Sequence, residues 1–247
     1  MTRGLKDQLI GLDPKFRYRG LNQTRVETFS DVGFALAIAL IVLSSSVPET
    51  FQELRESMNG VPSFFLCVVL LGVIWMQHYM FFLRYGLQDI RTIVYNTFLL
   101  FLILVYVYPL KFLMTFLVSM LSTLFIGDRS DFLAYHIQEG DMKFLMIMYG
   151  LGAAFIFLTV AALYRHALAK KEELELDEYE VFQTKTSIGI NTMMSVVPIV
   201  SFLIAWLGPD TALIGAISGF VYMLYPIIMP LYGQYLNKKE KRLFPSH

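Results

Sequence analysis

The chain has 247 residues, of which 56% are hydrophobic, 15% aromatic and only 16% charged, a balance that excludes an ordinary soluble domain and defines a membrane protein. Twenty basic residues against twenty acidic ones leave no cationic surplus for a nucleic-acid partner. A lone cysteine, Cys67, excludes an intrachain disulfide and a cysteine-based metal site.

Six apolar stretches are long enough to cross roughly 30 Å of hydrocarbon at about 20 residues each. They are Thr28 to Val47, Val61 to Leu83, Ile93 to Phe116, Phe144 to Tyr164, Ile188 to Leu207 and Thr211 to Leu236. The predicted fold is therefore all-α, a six-transmembrane-helix membrane protein. Its parts are an N-terminal segment over 1–27, a membrane domain over 28–236 and a tail over 237–247. The opening residues are polar, so no removable signal peptide is expected. No internal repeat is evident.

Before the first span stand Arg3, Lys6, Lys15, Arg17, Arg19 and Arg25. Arg84 and Arg91 follow the second span, and Arg165, Lys170, Lys171 and Lys185 surround the fourth connection. Lys238, Lys239, Lys241 and Arg242 occupy the tail. Positive residues stay on the cytoplasmic side, so both termini are expected there, in the cell membrane. Arg55, Lys111, Arg129 and Lys143 fall to the other face.

Within the first span, Asp31 heads an otherwise unbroken apolar run. An intramembrane carboxylate costs about 2.5–3.5 kcal/mol on insertion scales and usually faces protein or water. Counting 1.5 Å per residue from Arg25, Arg84 and Arg91 places Asp31, His78 and Asn96 at one depth, about 8–9 Å inside the boundary. Trp75 adds an indole donor on the His78 face, and Ser30 a hydroxyl. Two readings of this cluster stand: it fastens the first helix to the second and third, or it also sets that helix's tilt or senses protons through His78. His136 and His247 read as exposed and His166 as interfacial.

Further along the helix, Leu36, Leu40 and Leu43 share a stripe with Ala39, turned about 140° from Asp31. Such a stripe is either ordinary packing or the wall of a pore. Leucines cannot replace an ion's hydration shell, so a leucine constriction would gate by dewetting. Asp31 would then turn into the neighbouring helices, toward His78 and Asn96.

In the first outer connection, Glu49, Glu53 and Glu56 outnumber Arg55 and either draw cations to a mouth or form a solvated loop. Ser44, Ser45 and Ser46 either hydrate the pore's end or close the helix. Lys170 to Glu180 reads as a cytoplasmic extension of the fourth helix. Gly215 and Gly219 have close-packing spacing, and Pro198, Pro226 and Pro230 are expected to kink the last two spans.

Arg25, Phe29-Ser30-Asp31 and the helix from Phe34 to Leu40 resemble the signature of the transmembrane protein 175 family of potassium channels. Ser63-Phe64, Trp75, His78, Asn96 and Tyr108-Pro109 extend the match across the first three spans. The resemblance implies a homotetramer whose pore is lined by the first helix of each subunit and conducts potassium. It places the tightest constriction at Leu36, followed by Leu40 and Leu43, and assigns Arg25, Phe29, Ser30 and Asp31 to the helix-anchoring network. Ala39 stands where many members carry a threonine linked to selectivity, so weak preference for potassium over sodium is expected. The implied partners are potassium, other monovalent cations and the lipid bilayer. No cofactor is expected beyond the permeant ion, and no metal site. The alternatives are a secondary transporter, which needs broken helices and related halves, and a proton-permeable channel. An enzyme using Asp31 and His78 would need more convergent polar groups than the sequence offers.

Overall fold

The computed structural model describes residues 13–44, 47–126 and 140–245. Arg3, Lys6, Ser45, Ser46, Arg129, His136 and His247 lie outside the described residues. Helix α1 runs Arg25–Leu43, because Thr24 and Glu27 close a reciprocal capping box at its start. A short helix, α2 (Phe51–Asn59), follows Thr50 as N-cap and is exposed throughout. The acidic connection is thus a helix rather than a loop. There the Glu53 carboxyl is held below its ordinary range by the Glu49 backbone N–H and the Thr50 hydroxyl.

Helix α3 spans Val61–Tyr85, with Pro62 in its first turn and Gly86 in the left-handed conformation at its end (φ 60°). Helix α4 covers Ile90–Ile126 with Pro109 inside it, and α5 covers Asp141–Ala169. The chain then turns through Lys170 to Leu176, and Asp177 caps α6 (Glu178–Leu207) with a capping box to Glu180. The Lys170 to Glu180 stretch is therefore not an extension of α5: the strong cap at Asp177 starts a new helix. The last span divides into α7 (Ala212–Phe220), a 3-10 turn (Val221–Leu224) and α8 (Tyr225–Leu243). Pro226 sits in the first turn of α8, where it needs no N–H partner, while Pro198 and Pro230 lie inside helices. Six candidate membrane spans result, as read from the sequence, although most helices overrun the apolar core.

Helices α1, α3 and α4 pack mutually, α5 packs on α3, α4, α6 and α7, and α8 leans on α6. One apolar cluster joins the two groups, with Phe34, Ala37 and Ile41 from α1, Phe81 and Phe82 from α3, Leu99 and Ile103 from α4, and Val160 and Leu163 from α5. Helix α1 thus sits at the edge of the bundle, held by α3 and α4.

The basic segments converge on one end of the bundle. Arg19 N–H donates to Arg84 O (3.3 Å) and Gly20 N–H to Leu83 O (3.0 Å), so the N-terminal segment runs along the end of α3. A Cβ at Gly20 would lie 2.0 Å from Phe82 O, and only glycine fits. The Arg19 guanidinium grips Glu180 at 2.6 Å, a buried carboxylate that also accepts the Arg17 N–H at 2.8 Å. The Tyr179 hydroxyl bonds both Asp13 and Glu240, and Phe244 packs edge-on against the Tyr179 ring at 5.1 Å. The tail's first turns are thereby tied to the N-terminal segment. Lys143 lies at the opposite end, where it donates to Gly208 O at 3.0 Å.

Candidate functional site

Helix α1 buries Ser30, Phe34, Ala37 and Ile41, residues spaced by four, three and four that form one stripe. That stripe meets α3 and α4. At its lower end the Asn96 Nδ2 donates to Ser30 Oγ (2.8 Å), and the Ser30 hydroxyl donates to Val26 O (2.8 Å). Asn96 Oδ1 lies 2.7 Å from His78 Nε2 and can only accept, so His78 carries a proton on Nε2. His78 and Asn96 are 1% and 2% exposed, and the imidazole lies between the Phe34 ring (5.6 Å) and the Phe82 ring (4.8 Å).

Asp31 belongs to a separate cluster. Its Oδ1 accepts the Trp75 indole N–H at 2.8 Å, and its Oδ2 accepts from Gln23 Nε2 at 3.1 Å. Neither His78 nor Asn96 bonds to it. The expected single network is therefore two, because neighbouring helical residues point about 100° apart: Ser30 faces α4 while Asp31 turns along α3. Trp75 in turn stacks on Tyr79 at 5.6 Å. Arg25 is exposed and makes no side-chain hydrogen bond or ion pair among the described residues. Phe29 is 62% exposed. Both stand outside the two clusters.

The far end of α1 has a fixing absent from the sequence reading. Lys111 Nζ donates to Ile41 O (3.0 Å) and to Ser44 Oγ (2.7 Å). Ile41 O is one of the carbonyls a helix end leaves unpaired, and a cation suits the negative end of the helix dipole. A signal was present. Ser44 follows Ser30 by about 21 Å of helix and Lys111 follows Asn96 by about 22 Å, so two parallel helices in contact at the first pair meet again at the second.

With its buried stripe committed to α3 and α4, α1 turns Leu36 (48% exposed), Ala39 and Leu43 (75% exposed) out of the bundle. Leu40 sits at the flank, packed partly against the core. Outside the spans, Asp89 receives the Thr92 hydroxyl (2.6 Å) and faces His166 Nε2 (2.7 Å). Burial opposes ionisation of Asp89, but these partners and Lys170 outweigh it and hold the carboxyl below its ordinary range. Among the described residues no group of three His, Cys, Asp or Glu side chains could hold a metal ion.

A bundle with six helices long and apolar enough to cross a membrane, its first helix pinned at both ends and bare along one face, is a polytopic membrane protein. Residues 25–109, covering α1 through the first half of α4, match the family described as endosomal/lysosomal potassium channel TMEM175. The chain is 49% identical over 245 residues to a protein of Marivirga tractuosa named potassium channel, with 98% of each chain covered. The crystal structure of a variant of the potassium channel MtTMEM175, in complex with a nanobody–MBP fusion, matches with a TM-score of 0.85 at 48% identity, covering 93% of this chain and 100% of that one. The lysosomal potassium-selective channel TMEM175 homologue from Chamaesiphon minutus shares the fold, with a TM-score of 0.54 at 19% identity over 86% of this chain and 97% of its own. This chain belongs to the TMEM175 family. Its relatives are channels and not enzymes.

Proposed function

We propose that the protein is a passive potassium-conducting channel of the cell membrane, built from four copies whose α1 helices surround a common axis. The names of its relatives support the ion. The observation that carries the pathway is the asymmetry of α1: its interhelical hydrogen bonds and its buried apolar stripe lie toward α3 and α4, while Leu36, Ala39 and Leu43 face away. A helix at the edge of a bundle with so rigid a back is suited to carry a constriction on its front. Leu36 forms the narrowest ring and Leu43 a second, with Leu40 at the side of the wall. Because leucines offer no oxygen to a dehydrating cation, the rings act as a dewetting gate. Ala39 brings no hydroxyl, and selectivity for potassium over sodium is weak. The gathering of basic residues at the Arg19–Arg84 end supports placing both termini in the cytoplasm.

The test is potassium flux through the reconstituted protein under a defined gradient, with single-channel recording in planar bilayers. Leu36→Ala and Leu36→Asn are expected to raise conductance or lengthen open periods. No change with either variant would remove Leu36 from the pore.

A further inference from the structure

Between α3, α5 and α6, at the basic end of the bundle, lies an open cleft of about 210 Å³ that none of the pore fixings uses. Three features of its walls point to one kind of occupant. First, the Arg84 guanidinium, in the last turn of α3, donates to Ser187 Oγ at 3.1 Å and lies over the Phe16 ring at 4.9 Å, yet its Nε is buried without a partner. No carboxylate pairs with Arg84 among the described residues. A guanidinium does not deprotonate, so this charge stays at the membrane boundary with no protein anion beside it. Second, Asn191 is 2% exposed and donates its Nδ2 to Ser187 O at 2.9 Å, while its Oδ1 is an acceptor with no donor. An unmet buried acceptor is costly inside a membrane, and it lies one helical turn deeper than Ser187. Third, the remaining walls include Met76, Met80 and Ile190, and Met76 at the rim is 50% exposed, so the cleft continues outward as an apolar surface.

We infer that this cleft is a binding site for an anionic phospholipid of the cytoplasmic leaflet, its phosphate on Arg84 and Ser187 and the start of an acyl chain running deeper past Asn191 along Met76, Met80 and Ile190. Basic pockets between helices at the cytoplasmic boundary take anionic headgroups by charge-assisted hydrogen bonds. The cleft is too small for a whole phospholipid. It holds the headgroup-proximal part and leaves the chains in the bilayer. Bridging α3 to α6, the lipid would tie the half of the protomer that carries α1 to the half that does not.

The experiment is native mass spectrometry of the purified full chain released from detergent after titration with phosphatidylglycerol or phosphatidylcholine, a readout of binding that is independent of conduction. The wild type is expected to retain phosphatidylglycerol about tenfold better than phosphatidylcholine, whose quaternary ammonium offsets the attraction of Arg84 for the phosphate that both lipids share. Arg84→Gln is expected to lose that preference, and Arg84→Lys to keep part of it. Met80→Trp, which fills the apolar wall without touching the charge, is expected to lower retention of phosphatidylglycerol, and it decides the matter if Arg84→Gln does not assemble. Equal retention of the two lipids by the wild type, an undiminished preference in Arg84→Gln, or unchanged retention in Met80→Trp would each overturn the site.

Discussion

Asn96 is the keystone of the lower fixing, and replacing it with leucine isolates what that fixing is worth. Leucine keeps the same branched side-chain skeleton with two methyl groups in place of the amide, so the change chiefly removes polarity rather than shape. In Asn96→Leu the Ser30 hydroxyl still has Val26 O as acceptor at 2.8 Å, but the His78 Nε2–H loses its only partner, in a site 1% exposed and flanked by the Phe34 and Phe82 rings. An unmet buried donor costs about 1–3 kcal/mol. The lost bond between α1 and α4 adds roughly 0.6–1.7 kcal/mol on the scale of interhelical bonds in membranes. The sum is about 2–5 kcal/mol, which for a chain of this size lowers the unfolding midpoint by about 4–20 °C. Thermal unfolding in detergent micelles, followed by Trp75 and Trp206 fluorescence, measures it. The second corner of the cycle is His78→Phe in the Asn96→Leu background. It removes the orphaned donor and extends the aromatic cluster, so more than half of the loss is expected back. A single variant within about 0.5 kcal/mol of the wild type, or a double variant no more stable than the single, would refute the reasoning.

Further outcomes follow from the other fixings and from the pore face. Lys111→Met keeps the apolar stem but strips the charge from the end of α1. Hydrogen exchange in the Leu40 to Ser44 turn is expected to accelerate about 5–30-fold, as for a loss of 1–2 kcal/mol, with the Ser30 region unchanged; equal protection in both proteins would exclude the clamp. Ala39→Thr is expected to move the reversal potential toward that of potassium under opposed potassium and sodium gradients, and an unmoved value would separate this position from selectivity. Because the Asp89 carboxyl is depressed when folded, its stabilising contribution is complete above the ordinary carboxylate range near pH 4 and disappears as pH falls through the lower folded value. Asp89→Asn should therefore flatten the acid limb of a stability-versus-pH curve below about pH 4, and an acid limb of unchanged slope would place the titration elsewhere.

The sequence by itself determined the class and the six spans, because apolar length is a property of the chain alone. It also determined the common depth of His78 and Asn96, since rise per residue is fixed in any helix. What it left open was azimuth between partners: whether Ser30 or Asp31 would meet Asn96 depends on how α1 is rotated against α4, and only packing of Phe34, Ala37 and Ile41 into the core sets that rotation. The same packing brought Lys111 to the end of α1 and Arg19 to Glu180, contacts between residues 70 and 161 positions apart. Local spacing carries periodicity, whereas the choice of partner across such separations is made by whole helices burying their apolar stripes against one another.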